Sequence, residues 1–167
     1  MENSLCDFSG NENVGNIDII SSAVDRLSSF NKKCHSQNNR ELKISVHAGE
    51  NFTNISPEKY LSYFDKLLKL PIDGIGHGVF LWVPDNFVNY SRKVNKRRDE
   101  LLKRVIARNI ELEICPTSNV LFSPLKSYKD IPLNYFNKIG LKYSINTDNM
   151  TILSTNIKTE LRMVNKS

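Results

Sequence analysis

Cysteine is scarce: Cys6, Cys34 and Cys115 are the only three in 167 residues. The set is odd and lacks C-x-x-C spacing, which argues against a disulfide framework and suits a reducing, cytoplasmic setting. Long apolar runs are missing too. Nothing approaches the roughly 18 apolar residues that cross a bilayer, so no membrane partner is expected. The opening Met1-Glu2-Asn3-Ser4 has neither the basic nor the apolar stretch of a secretory signal. Charge of one sign is not concentrated: 23 Lys and Arg stand against 18 Asp and Glu, a net +5. The densest basic run, Lys96-Arg97-Arg98, lies among acidic residues and reads as a solvated helix face, so no nucleic-acid partner is expected.

What remains has the composition of a globular protein. Apolar residues make up 40% and charged residues 25%, with eight Phe and six Tyr, which is enough to build a core. The length suits one domain over residues 1–167.

Strand and helix periodicities alternate along the chain. Residues 4–8 form a short strand candidate, followed by a Ser9–Asn13 loop. Ile17, Ile20, Ala23, Val24, Leu27 and Phe30 recur at helical spacing and predict a helix over 17–32. Asn38-Asn39 breaks the pattern. Leu42, Ile44 and Val46 alternate with Lys43 and Ser45 into a strand ending at His47. Ser56-Pro57 starts a helix that Pro71 stops. Ile72 to His77 is a Gly-rich strand, and Val94, Leu101, Leu102, Val105 and Ile106 mark a long helix. Ile110, Leu112 and Ile114 form a strand ending at Cys115-Pro116. A helix through Phe136 ends at Gly140, a last strand runs from Leu141 to near Asp148, and a short helical tail follows.

Strand then helix, repeated, predicts βαβ units and a parallel sheet. The polar tips at Gly10, His47, His77, Cys115 and Asp148 are separated by 37, 30, 38 and 33 residues. One unit of an eightfold barrel takes about 30. The expected fold is therefore α/β, a partial (β/α)8 TIM barrel of about five parallel strands with flanking helices. Such sheets place their chemistry at strand C-terminal ends.

His47-Ala48-Gly49-Glu50 puts an imidazole at a strand tip, and Gly49 allows a turn that brings Glu50 close. The pair suits a zinc ligand beside a proton donor. It equally suits a histidine packed on the strand end with a surface glutamate. Gly76-His77-Gly78 places a second histidine at a strand tip, between glycines that permit close approach of a ligand; alone it reads equally as a loop histidine with its hydrogen bonds satisfied. Asp148 could ligate a metal or cap the next helix. Cys115, before proline at the end of an apolar strand, reads as buried and inert rather than nucleophilic. His35 reads as a surface histidine.

In order and spacing, five segments resemble the adenosine deaminase family of zinc hydrolases. They are Asp7-Phe8-Ser9-Gly10-Asn11-Glu12, His47-Ala48-Gly49-Glu50, Gly76-His77-Gly78, Glu113-Ile114-Cys115-Pro116-Thr117-Ser118-Asn119 and Ser144-Ile145-Asn146-Thr147-Asp148. The resemblance runs from about residue 5 to 160 and implies one catalytic Zn²⁺ and a purine nucleoside substrate, adenosine or deoxyadenosine. It implies that His47 and Asp148 ligate zinc and that Glu50 protonates purine N1. By the same resemblance, His77 orients and helps deprotonate the attacking water, and the Gly10 N–H meets purine N3. Asn149 stands where the family often has a second, substrate-contacting Asp, and its amide can still bond a purine nitrogen.

The family's opening His-x-His, which supplies further zinc ligands, has no counterpart among the three histidines. The resemblance therefore implies the C-terminal part of such a barrel, without its N-terminal part, and three readings stay open: a truncated or split enzyme, a catalytically silent partner-binding remnant, and a deaminase of another aminopurine. An open sheet leaves strand edges and, by expectation, an apolar surface where further strands would lie. The expected partner is a complementary N-terminal barrel fragment or a second copy.

Overall fold

The computed structural model describes residues 5–9, 14–36 and 41–165. Gly10 and the Asn38-Asn39 break lie outside them. Five strands form one parallel sheet in chain order: β1 Leu5–Phe8, β2 Lys43–Ala48, β3 Gly74–His77, β4 Glu111–Ile114 and β5 Tyr143–Ile145. Each is parallel to the next, with Ser45 beside Gly74 and Ile75 beside Leu112. The helices are α1 Ile17–Ser36, α2 Pro57–Leu67, α3 Val79–Trp82, α4 Arg92–Ala107, α5 Pro116–Phe122, α6 Leu133–Ile139 and α7 Ile157–Asn165. This is the partial (β/α)8 barrel that the spacing predicts.

Local chemistry sets the element ends. Ser56 caps α2 by accepting from the Lys59 N–H, and Pro57 occupies the first turn, where its missing N–H costs nothing. Ser91 caps α4 in the same way through Val94. At the start of β3, Asp73 accepts from the Ile44 N–H at 2.9 Å and ties two strands together. Helix α1 runs four residues past the expected 32, and the buried Cys34 on that last turn extends its apolar face.

Side chains alternate across the sheet. Ile44, Val46, Ala48, Ile75, Leu112 and Ile114 are buried on one face, in a core shared with Phe64, Leu67, Phe80, Leu101 and Val105 of the helices. Phe52, Tyr60, Phe64 and Phe80 form an aromatic cluster, with Phe64 and Phe80 stacked at 5.8 Å. By register the opposite face carries Leu5, Asp7, Lys43, Ser45, His47, Glu111, Glu113 and Ser144. That face is polar apart from the exposed Leu5 at its β1 end, which corrects the expectation of an apolar surface on the sheet's open side.

A second correction concerns the basic run. Lys96 is exposed, but Arg98 is only 3% exposed. Its guanidinium donates to the Phe80 carbonyl at 2.7 Å, to the Val83 carbonyl, and to Asp85 and Asn95 at 3.1 Å. Arg98 is thus the internal clamp on the segment that follows β3.

Candidate active site

The described strands bring their polar tips to one end of the sheet. His47 sits opposite Gly76 in the β2–β3 register. A Cβ at Gly76 would lie 2.6 Å from His47 Cδ2, so the ring occupies the space that the missing side chain leaves. His47 Nε2 lies 3.1 Å from Asp7 Oδ2 at the end of β1. Burial disfavours the imidazolium, but the hydrogen bond and charge of Asp7, with Asp148 and Glu113 beyond, more than offset it. The His47 pKa lies above the ordinary histidine value.

Gly49 turns the chain after β2 with φ +86° and rests on Phe64 and Phe80. The Phe80 N–H donates to the Gly49 carbonyl at 2.8 Å. The aromatic cluster therefore fixes where Glu50 emerges, and Glu50 is buried.

His77 ends β3 with φ +65°, a left-handed conformation that is costly for a residue with a Cβ. Trp82 Nε1 donates to its carbonyl at 3.0 Å. The ring is buried, meets His47 edge-on at 4.8 Å, and has one nitrogen against Asn119. The Cys115 N–H donates to Asn119 Oδ1 at 3.1 Å, which turns the Asn119 NH₂ toward His77 Nδ1, 2.9 Å away. His77 Nδ1 is then an acceptor, and a neutral ring carries its proton on Nε2. Burial, with the charge of His47 second, pushes this histidine down to about 4. At pH 7 the 3.2 Å contact between His77 Nδ1 and Glu50 is accordingly not an ion pair.

Helix α5 supplies a bridge that the sequence did not disclose. The fully buried Ser118 hydroxyl lies 2.6 Å from Glu50 Oε1 and 2.8 Å from Asp148 Oδ2. One hydroxyl has one proton, so both contacts are hydrogen bonds at once only when one carboxyl itself holds a proton. Asp148 follows β5 with φ +55°, a second strained position, and is exposed. Glu50, His77 and Asp148 offer ligand atoms within 4.8 Å of one another. One imidazole and two carboxylates form a nitrogen and oxygen donor set that suits zinc, whereas His47, expected as a ligand, lies outside that group with its Nε2 facing Asp7.

Asn149 is exposed, and its side-chain oxygen accepts from the Ile152 N–H at 2.9 Å within its own loop. Cys115 is buried, and burial pushes its thiol up, as an inert cysteine requires. His35 is exposed and pairs with Glu41 at 2.7 Å. Three partners escaped sequence reasoning as site residues: Asp7, Ser118 and Asn119. Asp7 was readable in principle, as the acid at the end of the strand beside β2.

The chain matches the family described as "Adenosine deaminase" over residues 6–167. It is 37% identical over 124 residues to an adenosine deaminase of Clostridium botulinum strain Kyoto, covering 74% of this chain and 31% of the relative. An adenosine deaminase of Clostridium acetobutylicum is 32% identical over 119 residues, covering 71% of this chain and 30% of the relative. The chain thus spans about a third of the length of these curated relatives. Among solved structures, the N6-methyl-AMP deaminase of Arabidopsis thaliana superposes with a TM-score of 0.56 at 16% identity, covering 99% of this chain and 49% of that one. The adenine deaminase of Arthrobacter aurescens gives 0.52 at 17% identity, with 86% and 46% covered. These two share the fold. By its match over nearly the whole sequence, the chain belongs to the adenosine deaminase family.

Proposed function

We propose that residues 1–167 act as one adenosine deaminase-like domain, bearing part of the site that hydrolyses adenosine or deoxyadenosine to inosine or deoxyinosine and ammonia. One observation carries the reading: Glu50, His77 and Asp148 converge within 4.8 Å at the strand ends, beside His47. The adenosine deaminases named above support this substrate over other aminopurines. The three free cysteines support a cytoplasmic setting.

His47 and Asp148 would hold the zinc, which when bound activates water toward hydroxide at neutral pH. Glu50, buried beside the Ser118 hydroxyl, gives a proton to purine N1, which makes C6 electrophilic. His77, neutral with its proton on Nε2, orients the water by donating to its oxygen. In that tautomer it orients rather than deprotonates. The Gly10 N–H and the Asn149 amide would contact purine nitrogens. Water would add at C6, one of its protons returning to the Glu50 carboxylate and the other passing to the amino nitrogen as the C6–N bond breaks, so that ammonia leaves and C6 keeps the oxygen as a carbonyl.

Catalytic zinc sites take three or more protein ligands, and this reading draws two of them from this chain. The partner is then a complementary barrel fragment carrying a His-x-His strand, or a second copy; the polar open face and the two sheet edges favour a barrel-like neighbour. The test is ammonia release from adenosine by the zinc-loaded chain, alone and with the first three βα units of a family relative. We expect weak zinc binding and negligible turnover alone, and turnover with the fragment that Glu50→Gln abolishes. Robust turnover by the chain alone would overturn the ligand assignment. A fragment that binds and gives an inactive complex would overturn the deaminase reading and select a silent partner-binding domain, which the ligand count also favours.

A further inference from the structure

We infer that Glu160, on α7, is a positioning residue that sets the rotation of α5 and so aims Ser118 and Asn119 at the strand tips. Its meaning for catalysis rests on the deaminase reading; its structural test does not.

Glu160 is 0% exposed. A buried carboxylate is costly unless donors meet it. Here Oε2 accepts from the Thr117 N–H at 3.0 Å, and Oε1 accepts from the Thr117 hydroxyl at 2.6 Å and from the Thr155 hydroxyl. Among the described residues, no Lys or Arg forms an ion pair with it. Both carboxylate oxygens thus grip one residue, Thr117, through its backbone and its side chain.

Thr117 lies in the first turn of α5, immediately before Ser118 and Asn119. A helix of seven residues has little stability of its own, and its orientation must come from tertiary contacts. Successive residues on a helix point about 100° apart. Fixing Thr117 therefore fixes where Ser118 and Asn119 point. Ser118 points at Glu50 and Asp148, and Asn119 at His77. Asn119 is held further by the Cys115 N–H. No hydrogen bond joins Glu160 directly to those site groups, so it acts through α5.

The test compares Glu160→Met, which removes both acceptors, with Glu160→Gln, which keeps one for the Thr117 N–H. Thr155→Val is the control, because it deletes a donor to Glu160 and leaves the Thr117 grip intact. The first readout is the NMR spectrum of the full chain, following the Asn119 side-chain NH₂ and the exchange rate of the Thr117 amide. In Glu160→Met the Asn119 resonances should move toward those of a free amide, and Thr117 exchange should rise at least about tenfold. Glu160→Gln should restore both, and Thr155→Val should leave Asn119 unchanged. The second readout is kinetic, in the fragment-complemented protein: Glu160→Met should lower kcat about tenfold or more with KM for adenosine nearly constant. An unmoved Asn119 in Glu160→Met, failure of Glu160→Gln to rescue, or an equal shift in Thr155→Val would overturn the inference. Should Glu160→Met not fold, Thr117→Val must shift Asn119 in the same direction, and no shift overturns it. If the unsubstituted protein turns nothing over, the deaminase reading fails while the spectra still decide the role of Glu160.

Discussion

Replacing Arg98 with methionine should remove about 3–5 kcal/mol of stability. The figure follows from what the guanidinium leaves behind. The Phe80 and Val83 carbonyls lose their charged donor, and an unsatisfied buried acceptor costs about 1–3 kcal/mol. Asp85 is 66% exposed, so that ion pair adds at most about 1 kcal/mol. Stacking over Phe80 and Tyr90, each 5.7 Å from the guanidinium carbon, adds a further fraction. Methionine keeps the volume, so little of the loss arises from a cavity. Arg98→Lys should fall between the two, because one ammonium cannot match a fork that spans two carbonyls.

Trp82 is the only tryptophan and sits inside the clamped segment, 5.5 Å from Phe136. Urea unfolding followed by its fluorescence therefore reads the perturbed region directly. A loss under about 1 kcal/mol would refute the clamp, since it would show that water already serves those carbonyls. The same segment holds His77 through the Trp82 indole and Gly49 through the Phe80 N–H. The His77 ring resonances should accordingly broaden or shift in Arg98→Met below the unfolding transition.

Gly76→Ala should displace the His47 ring and cost about 1–3 kcal/mol by overpacking. Unchanged His47 imidazole resonances in the folded variant would contradict it. Thiol alkylation of the native chain, followed by mass spectrometry, should modify the half-buried Cys6 first. The buried Cys34 and Cys115 should wait for unfolding, and early labelling of Cys115 would contradict its burial. Phe80→Ala should cost about 3–5 kcal/mol, read by urea unfolding, because Phe80 stacks on Phe64 and Tyr60 at the centre of the aromatic cluster.

The strands and their tips were legible in the sequence because alternation is a local pattern. Leu42, Ile44 and Val46 announce β2, and its C-terminal end delivers His47 without reference to the rest of the chain. The βα spacing then places Glu50, His77 and Asp148 at the same end. Two short helices were not legible. Helix α3 is four apolar residues, all buried, so no periodicity separates it from the strand before it. Helix α5 begins Pro-Thr-Ser-Asn, which reads as a loop, and its orientation is imposed by Glu160, 43 residues downstream. Ser118 meets Glu50 across 68 residues, and only the fold brings them together. Arg98 was misread for a related reason. Its neighbours are charged, but its own helical position faces the Phe80–Val83 turn, and a run of like charges does not show which member points inward.

The two left-handed positions at the site, His77 and Asp148, explain why it needs supporting residues around it. A parallel strand alone would send alternate side chains to opposite faces, so His47 and His77, one register step apart, would diverge. The left-handed φ of His77 turns its ring back to meet His47 edge-on, and that conformation costs about 1–3 kcal/mol. The Trp82 indole on its carbonyl, the Asn119 amide on its ring, and Gly78 bound to the Ala48 carbonyl supply three independent restraints that outweigh the strain. Asp148 carries the same strain at an exposed loop, and Ser118 is its buried tether. Both tethers, Ser118 and Asn119, sit on α5. The segment Cys115-Pro116-Thr117-Ser118-Asn119 thus frames the two strained ends through the side chains of Ser118 and Asn119.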